Sequence, residues 1–335
     1  MNRRLQRILL PGLLFGLLLS ALPPTTVSAA NQNVGQALEI APPVLNLTAD
    51  PGQTINTKII LRDVSTSKLV VRNEINDFVA DETKEDGTPK LLIDATDEQS
   101  PYSLKNWIQP LPELTLNPKQ INELPVKIVV PKNAAPGGYY AVVRFTASAP
   151  SLNGETGVAL SASLGTLVLV RVSGDVKELM KIEELYPTKN EKRKGLFESH
   201  PITFVTRVKN EGSTHEQPTG IVTIADMFGN KIAGISINQT RGNVLPGSIR
   251  KFSVLLDDGV IGNKVLFGRY TADVKLSYGT KGQTVTESTS FWVIPYRLVG
   301  FSILLIIILI IVGRIALARY NERLIAKSRS RRRRR

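Results

Sequence analysis

Residues 136–145 read PGGYYAVVRF, and residues 268–276 read GRYTADVKL. In each, a glycine leads into a tyrosine at the head of a run that alternates apolar and other residues. Laid over one another, Gly137 meets Gly268, Tyr139 meets Tyr270, Ala141 meets Ala272, Val143 meets Val274 and Phe145 meets Leu276. A period of two is the signature of a β-strand, whose successive side chains point to opposite faces. Tyr139, Ala141, Val143 and Phe145 therefore share one apolar face, and Tyr140, Val142, Arg144 and Thr146 share the other. A tyrosine leading such a face has the position of a tyrosine corner, its ring in the core and its hydroxyl bonded to nearby backbone. Tyr139 and Tyr270 are read as packing residues on that ground. Tyr140 faces the other way, and its role stays open.

Working outward, the same texture continues from residue 31 to residue 294. Short runs rich in Val, Ile, Thr and Phe (TKIILRDV, KLVVRNEI, LPVKIVV, GTLVLVRV, ITFVTRV, GIVTIAD, KFSVLL, TSFWVI) are separated by Gly, Pro, Asn and Asp clusters. A second local echo, TKIILRDVS against TFVTRVKNEGS, joins the first. The expected fold is all-β, with two Ig-like β-sandwich domains made from two copies of one module. The first is placed at residues 31–174 and the second at residues 175–294, with the break near SGDVKELMK.

The two ends differ from this body. MNRRLQR, then ILLPGLLFGLLLSAL, then TTVSAA have the charged, apolar and small-residue parts of a secretory signal peptide, residues 1–30, with cleavage after Ala29 or Ala30. LVGFSILLIIILIIVGRIAL, Leu298 to Leu317, is enough helix to cross a bilayer, about 30 Å at 1.5 Å per residue. The transmembrane segment is placed at residues 295–317 and a basic cytoplasmic tail at 318–335. Trp292, Tyr296, Arg297, Arg314 and Arg319 are the expected interface residues, as amphipathic rings and snorkelling arginines favour the headgroup level.

The net charge of +13 belongs to the ends. From Arg314 onward ten basic residues stand against the single acid Glu322, and the first thirty residues add Arg3, Arg4 and Arg7, which leaves the body near neutral. A nucleic-acid-binding domain would carry its basic stripe on the folded part, so that class is excluded. The arginines instead set topology by the positive-inside rule, with the body outside the plasma membrane. They also suit anionic lipid headgroups.

The chain has no cysteine, so the exported body has neither disulfides nor thiol chemistry. Its two histidines, His200 and His215, lack metal-ligand spacing, and a turn histidine such as His215 is expected to be solvated. The acid pairs Asp81–Glu82, Glu85–Asp86 and Asp257–Asp258 fall between strands, where solvated turns are the default, and DETKEDG lacks the spacing of an EF-hand. Phosphate-binding loops and nucleophile elbows are missing as well. The expectation is a protein without enzymatic activity, cofactor or metal. For carbohydrate the useful features are aromatic faces, and Tyr102, Trp107 and Tyr140 are the candidate ligand-binding residues. Trp107 has the rival reading of a core tryptophan.

Several segments also carry a resemblance when taken in order. LEIAPPVLNLTADPGQTINTKIILRDVSTSKLVVR, NDFVADETKEDGTPKL, SLKNWI, LNPKQINELPVKIVVPKNAAPGGYYAVVRF and GTLVLVRVSG, over roughly residues 38–175, resemble the extracellular domain of bacterial WxL-interacting surface proteins. RVKNEGSTHEQPTGIVTIADMFGN, LPGSIRKF, GRYTADVKLSYG and FWVIP are similar to the membrane-proximal Ig-like domain of that architecture. The resemblance implies a peptidoglycan-binding first module and a membrane-anchored display role, with cell wall or a surface protein, such as one of WxL type, as partner. A chaperone-like secretion or surface-assembly factor working through a β-strand edge is the alternative.

Overall fold

The computed structural model describes residues 38–93, 100–148, 162–262 and 264–332; the signal peptide and its cleavage site lie outside them. Nine strands come from the first half: β1 (Leu38–Ala41), β2 (Val44–Ala49), β3 (Thr54–Asp63), β4 (Leu69–Ala80), β5 (Pro89–Leu92), β6 (Leu114–Leu116), β7 (Ile121–Val129), β8 (Gly137–Ser148) and β9 (Ala162–Val172). Nine come from the second: β10 (Met180–Lys189), β11 (Lys192–Arg193), β12 (Leu196–Phe197), β13 (Ile202–Asn210), β14 (Thr219–Asp226), β15 (Lys231–Ile237), β16 (Ile249–Leu256), β17 (Gly268–Tyr278) and β18 (Gln283–Val293). A 3-10 turn at Lys105–Trp107, a single α-helical turn, α1 (Asp258–Ile261), and a long helix, α2 (Tyr296–Arg332), complete the described residues.

Both halves use one wiring scheme. In the first, β1–β3–β7 face a sheet ordered β2–β9–β8–β4–β5, with β6 also on β4. In the second, β11–β10–β13–β16 face β12–β18–β17–β14–β15. The opening segment of each half serves both sheets. Pro42 and Pro43, which have no N–H to donate, separate β1 from β2. Beyond them β2 joins the opposite sheet, parallel to β9. The second half repeats this with β10 in one sheet and β12 in the other, parallel to β18. The two quoted stretches become β8 and β17, each between its succeeding strand and an earlier one.

Each half has its own core. Ala141, Val143 and Phe145 of β8 pack with Ile59, Leu61, Leu124, Val126 and Ile128 of the facing sheet. Tyr270, Ala272, Val274 and Leu276 of β17 pack with Ile202, Phe204, Val208 and Leu256. Fully burying one such aliphatic or aromatic side chain contributes about 1.5–3 kcal/mol. The tyrosine corners form as expected. Tyr139 Oη donates to the Ala135 carbonyl at 3.1 Å, and Tyr270 Oη donates to the Phe267 carbonyl at 3.3 Å.

The two central strands differ on their outer faces. β17 alternates buried and accessible residues, as a strand with one solvated face does. β8 is buried on both faces through Tyr140 and Val142. That outer face is covered by Tyr102 of the first half together with Leu245 and His215 of the second.

After Pro295 the strand pattern gives way to α2. Within Tyr296–Asn321 an 18-residue stretch has a mean hydropathy of 2.9 and none of that stretch is buried against the rest of the protein, so the helix is long and apolar enough to cross a membrane. Trp292 ends β18 beside Leu196, and Arg297 pairs with Glu198 at 3.3 Å, which ties the start of the helix to the second sandwich. Tyr296, Arg314 and Arg319 lie exposed along the helix.

Candidate functional site

The covered face of the first sandwich is built from β2, β9, β8 and β4. Phe78, Tyr140, Val142 and Leu169 are buried there, with Val44, Leu167, Leu91 and Tyr102 packed around them. Leu245 of the second half closes over this cluster. The loop that delivers Leu245 is shaped by two asparagines. Asn238, itself at φ 54°, donates from Nδ2 to the Pro218 and Gly242 carbonyls at 2.7 and 3.0 Å and accepts from the Gly242 N–H at 2.7 Å. Buried Asn210 donates to the Thr214 and Val244 carbonyls at 2.7 and 2.8 Å. Side-chain amides supply here the partners that backbone in an irregular loop lacks.

Leu245 does not fill the space. A cleft of about 540 Å³ opens on one side of it, between Val44, Asn46, Leu167, Leu169 and Ala80 below and Arg241, Asn243 and Arg250 above. A second of about 470 Å³, sharing Phe78, Ala80 and Leu245, runs past Tyr102 and Tyr140. Both volumes fall in the range of ligand pockets; the smaller is lined mainly by apolar groups, and the larger mixes apolar residues with Asn46, Asp81, Arg241, Asn243 and Arg250.

Ion pairs hold the two walls together. Glu85, in the β4–β5 hairpin, accepts two hydrogen bonds from Arg207 at 2.9 and 2.6 Å, pairs with Lys251 at 3.1 Å, and offers its carbonyl to the Lys251 N–H at 2.6 Å. Hydrogen bonding from Arg207 holds the Glu85 carboxyl at about 2, below the usual carboxylate range. At the other end Arg171 of β9 reaches Glu178 and, at 3.7 Å, Glu216. Burial pushes the Glu216 carboxyl up to about 7, and burial holds the neighbouring His215 imidazole down at about 4. The His215 ring lies against Tyr140, centroids 5.6 Å apart at 74°. Burial also pushes the Tyr140 phenol above its ordinary range, and no hydrogen-bond partner meets its hydroxyl among the described residues.

Two expectations are corrected. His215 is not a solvated turn residue: its Nδ1 is buried and its ring packs on the first sandwich. The DETKEDG acids are not all solvated either, because Glu85 bridges to the second sandwich. Each partner lies far away in sequence, which is why spacing carried no hint of it. Of the three aromatic candidates, Tyr102 and Tyr140 come together at the cleft, ring centroids 6.1 Å apart. Trp107 is on the opposite side of β8, its ring 4.2 Å from that of Tyr139. Arg250, Asn243 and Arg171 escaped the sequence reading, since each looks like an ordinary polar position in a β pattern.

The fold defines the class: two Ig-like β-sandwiches followed by one apolar helix. No family model and no curated protein matches the chain. Among solved structures it is similar to the YadV chaperone, with 9% identity over 76% of this chain and 100% of that one and a TM-score of 0.35. The class 5 fimbriae chaperone CfaA shows 14% identity over 75% and 98%, TM-score 0.36. A chain of the Salmonella enterica SafA pilin–SafB chaperone complex shows 9% over 76% and 96%, TM-score 0.33. The likeness is distant.

Proposed function

We propose that this chain is a non-enzymatic, membrane-anchored surface protein that holds a protein partner in the cleft where its two Ig-like modules meet. The observation that carries the proposal is the cleft itself, about 540 Å³ of space with a mixed apolar and polar lining between walls that Glu85 pins together. Its walls come from separate modules and are joined before any ligand arrives, so a ligand need not pay for ordering them. In this reading α2 crosses the plasma membrane once, the sandwiches stand outside, and the arginine tail lies in the cytoplasm against anionic headgroups.

A protein partner fits better than glycan. Sugar binding relies on accessible aromatic faces, whereas Tyr140 is 2% exposed and Trp107 stacks on Tyr139. The outer edge of β2, the last strand of its sheet among the described residues, also borders the cleft and suits an extended segment. A surface protein, of WxL type as the sequence resemblance implies, is thus preferred to peptidoglycan. An assembly role, in which the partner is held only transiently, uses the same surface.

The test is co-sedimentation of the full chain in liposomes with purified sacculi and, separately, with extracted surface proteins. A protein retained by the wild type and at least about tenfold less by Ala80→Trp, which fills the cleft, is the expected result. Retention indifferent to Ala80→Trp, or retention of sacculi alone, overturns the proposal.

A further inference from the structure

The second sandwich gathers exposed apolar side chains at one end. Phe228 is 82% exposed, Val265 86% and Phe267 61%, and Met227 and Trp292 join them. Every other described phenylalanine of the two sandwiches is buried. Strand pairing brings the exposed ones together. Asp226, at the end of β14, lies opposite Tyr270 near the start of β17, and Gly268 lies opposite Val293 at the end of β18. Met227 reaches across this end, since a Cβ on Gly268 would come within 2.2 Å of its Cε.

Two local devices fix the backbone that displays the phenylalanines. Asp226 Oδ1 accepts from the Phe228 and Asn230 N–H groups at 2.9 Å each, and Gly229 at φ 83° closes that turn. Tyr270 Oη accepts from the Phe267 N–H at 3.0 Å and donates to its carbonyl at 3.3 Å, so the tyrosine corner holds Phe267. The matching corner of the first sandwich is built from smaller residues. With Gly137 laid on Gly268, Ala134 and Pro136 stand where Val265 and Phe267 do. The apolar display thus belongs to the module that carries α2.

It is also the end from which α2 departs. Only Ile294 and Pro295 separate β18 from Tyr296, a reach of at most about 10 Å. Arg297, in the first turn of α2, is tied back to Glu198 at 3.3 Å. The cluster therefore lies close to the headgroups of the bilayer that α2 crosses. Contiguous exposed apolar residues mark interaction surfaces, and aromatic rings favour the membrane interface. Next to Trp292, whose N–H donates to the Gly195 carbonyl, the hairpin tip NEKRKG (residues 190–195) sets three exposed cations against Glu191. That balance suits anionic headgroups.

We propose that the second sandwich docks end-on against the outer leaflet, with Phe228 and Phe267 inserted at headgroup level. A few inserted rings do not hold a protein by themselves, but the α2 tether makes the contact intramolecular. Leu245 and the cleft lie at the opposite end of the module, ahead of β16, so docking fixes their height and direction over the membrane. This inference rests on reading α2 as a span with the sandwiches outside.

The chain has no cysteine, so a single introduced one can carry a fluorescent probe. The test uses the full chain, one copy per nanodisc of phosphatidylcholine and phosphatidylglycerol, labelled at Lys231→Cys beside Phe228 or at Lys281→Cys in the far β17–β18 hairpin. Lipids spin-labelled near the headgroup should quench the Lys231→Cys probe about twofold or more and leave the Lys281→Cys probe bright. Adding Phe228→Ser and Phe267→Ser should bring the first probe to the level of the second. Thermal melting reports folding, and Phe228→Ser alone serves if the double variant does not fold. Equal quenching at the two sites, or quenching that survives in the folded serine variant, overturns the proposal. So does an emission shift that needs two copies in one disc, which identifies a second copy as the occupant. A probe at Ile307→Cys, read with lipids spin-labelled deep in the acyl chain, separates the two readings. If it is quenched while the Lys231→Cys probe is not, docking fails and the span stands; if neither is quenched, both fail.

Discussion

Glu85, in a hairpin of the first sandwich, holds Arg207 of the second through two hydrogen bonds of 2.9 and 2.6 Å. The residues are 122 positions apart, and both side chains are more than three-quarters buried. With Lys251 added, the carboxylate spans two neighbouring strands, β13 and β16, so the hairpin is fixed in direction as well as position.

Replacing this acid is therefore expected to loosen the junction. Glu85→Gln keeps the shape but leaves Lys251 without its counter-charge and Arg207 with only Glu184 at 3.5 Å, a loss of about 2–3 kcal/mol. The Glu85 carboxyl lies at about 2 in the folded protein against an ordinary 4.5, so its contribution is fully present above pH 4.5 and lost as pH falls through about 2. Thermal melting should show Glu85→Gln well below wild type at pH 7. The gap should close towards pH 2, and a gap that does not change with pH would refute the assignment.

The Arg171 end has the opposite sign. Glu216 is raised to about 7 from 4.5, so the stability it contributes is complete below pH 4.5 and is lost as pH rises through 7. Glu216→Gln, which mimics the protonated acid, should match wild type at pH 4 and exceed it by about 2 kcal/mol at pH 8. His215, lowered to about 4 from 6.5, stabilises fully above pH 6.5 and loses this as pH falls through 4. His215→Gln should thus remove the acid-side loss between pH 6.5 and 4. Melting curves taken across that range separate the two residues.

Tyr140 is held by its ring and not by its hydroxyl. Phe78, Tyr102 and His215 surround the ring at centroid distances of 5.9, 6.1 and 5.6 Å, while the hydroxyl has no partner among the described residues. Tyr140→Phe should stay within about 1 kcal/mol of wild type, and Tyr140→Ala should cost about 3–5 kcal/mol. Gly138→Ala should also destabilise, as its Cβ would lie 2.0 Å from Tyr140 Oη. In the double variant Gly138→Ala/Tyr140→Phe part of that loss should return, which denaturant titration can measure.

The helix makes a separate prediction. A chain ending at residue 295 should leave the membrane fraction, while the full chain should resist alkaline carbonate extraction. Recovery of the shortened chain in the membrane pellet would mean that the sandwiches themselves carry the anchorage.

Ten of the eighteen strands coincide with segments recognised by alternation alone, β3, β4, β7, β8, β9, β13, β14, β16, β17 and β18. Those not recognised as strand runs are short or interrupted. β12 has two residues, β15 carries Gly234 in its middle, and β10, MKIEELYPTK, mixes charges with Pro187. Its register shift between Ile182 and Glu184 breaks the alternation that would have marked it. The echo between the two quoted stretches was legible because a strand at the centre of a sandwich must present an apolar residue at every second position. The matching topology of the two halves follows it.

The amino-acid order by itself thus determined the β class, the doubling of the module, the roles of Tyr139 and Tyr270, and the apolar segment after Pro295. The class, the tyrosines and the apolar segment rest on local periodicity or composition, and the doubling rests on that same periodicity recurring along the chain. Only the tertiary structure decided what covers the outer face of β8, that Tyr140 is buried there while Trp107 packs on the other side, and that Glu85 finds Arg207. A period of two says that a side chain leaves the sheet on a given side. It cannot say whether water or another module waits there, because that depends on residues more than a hundred positions away.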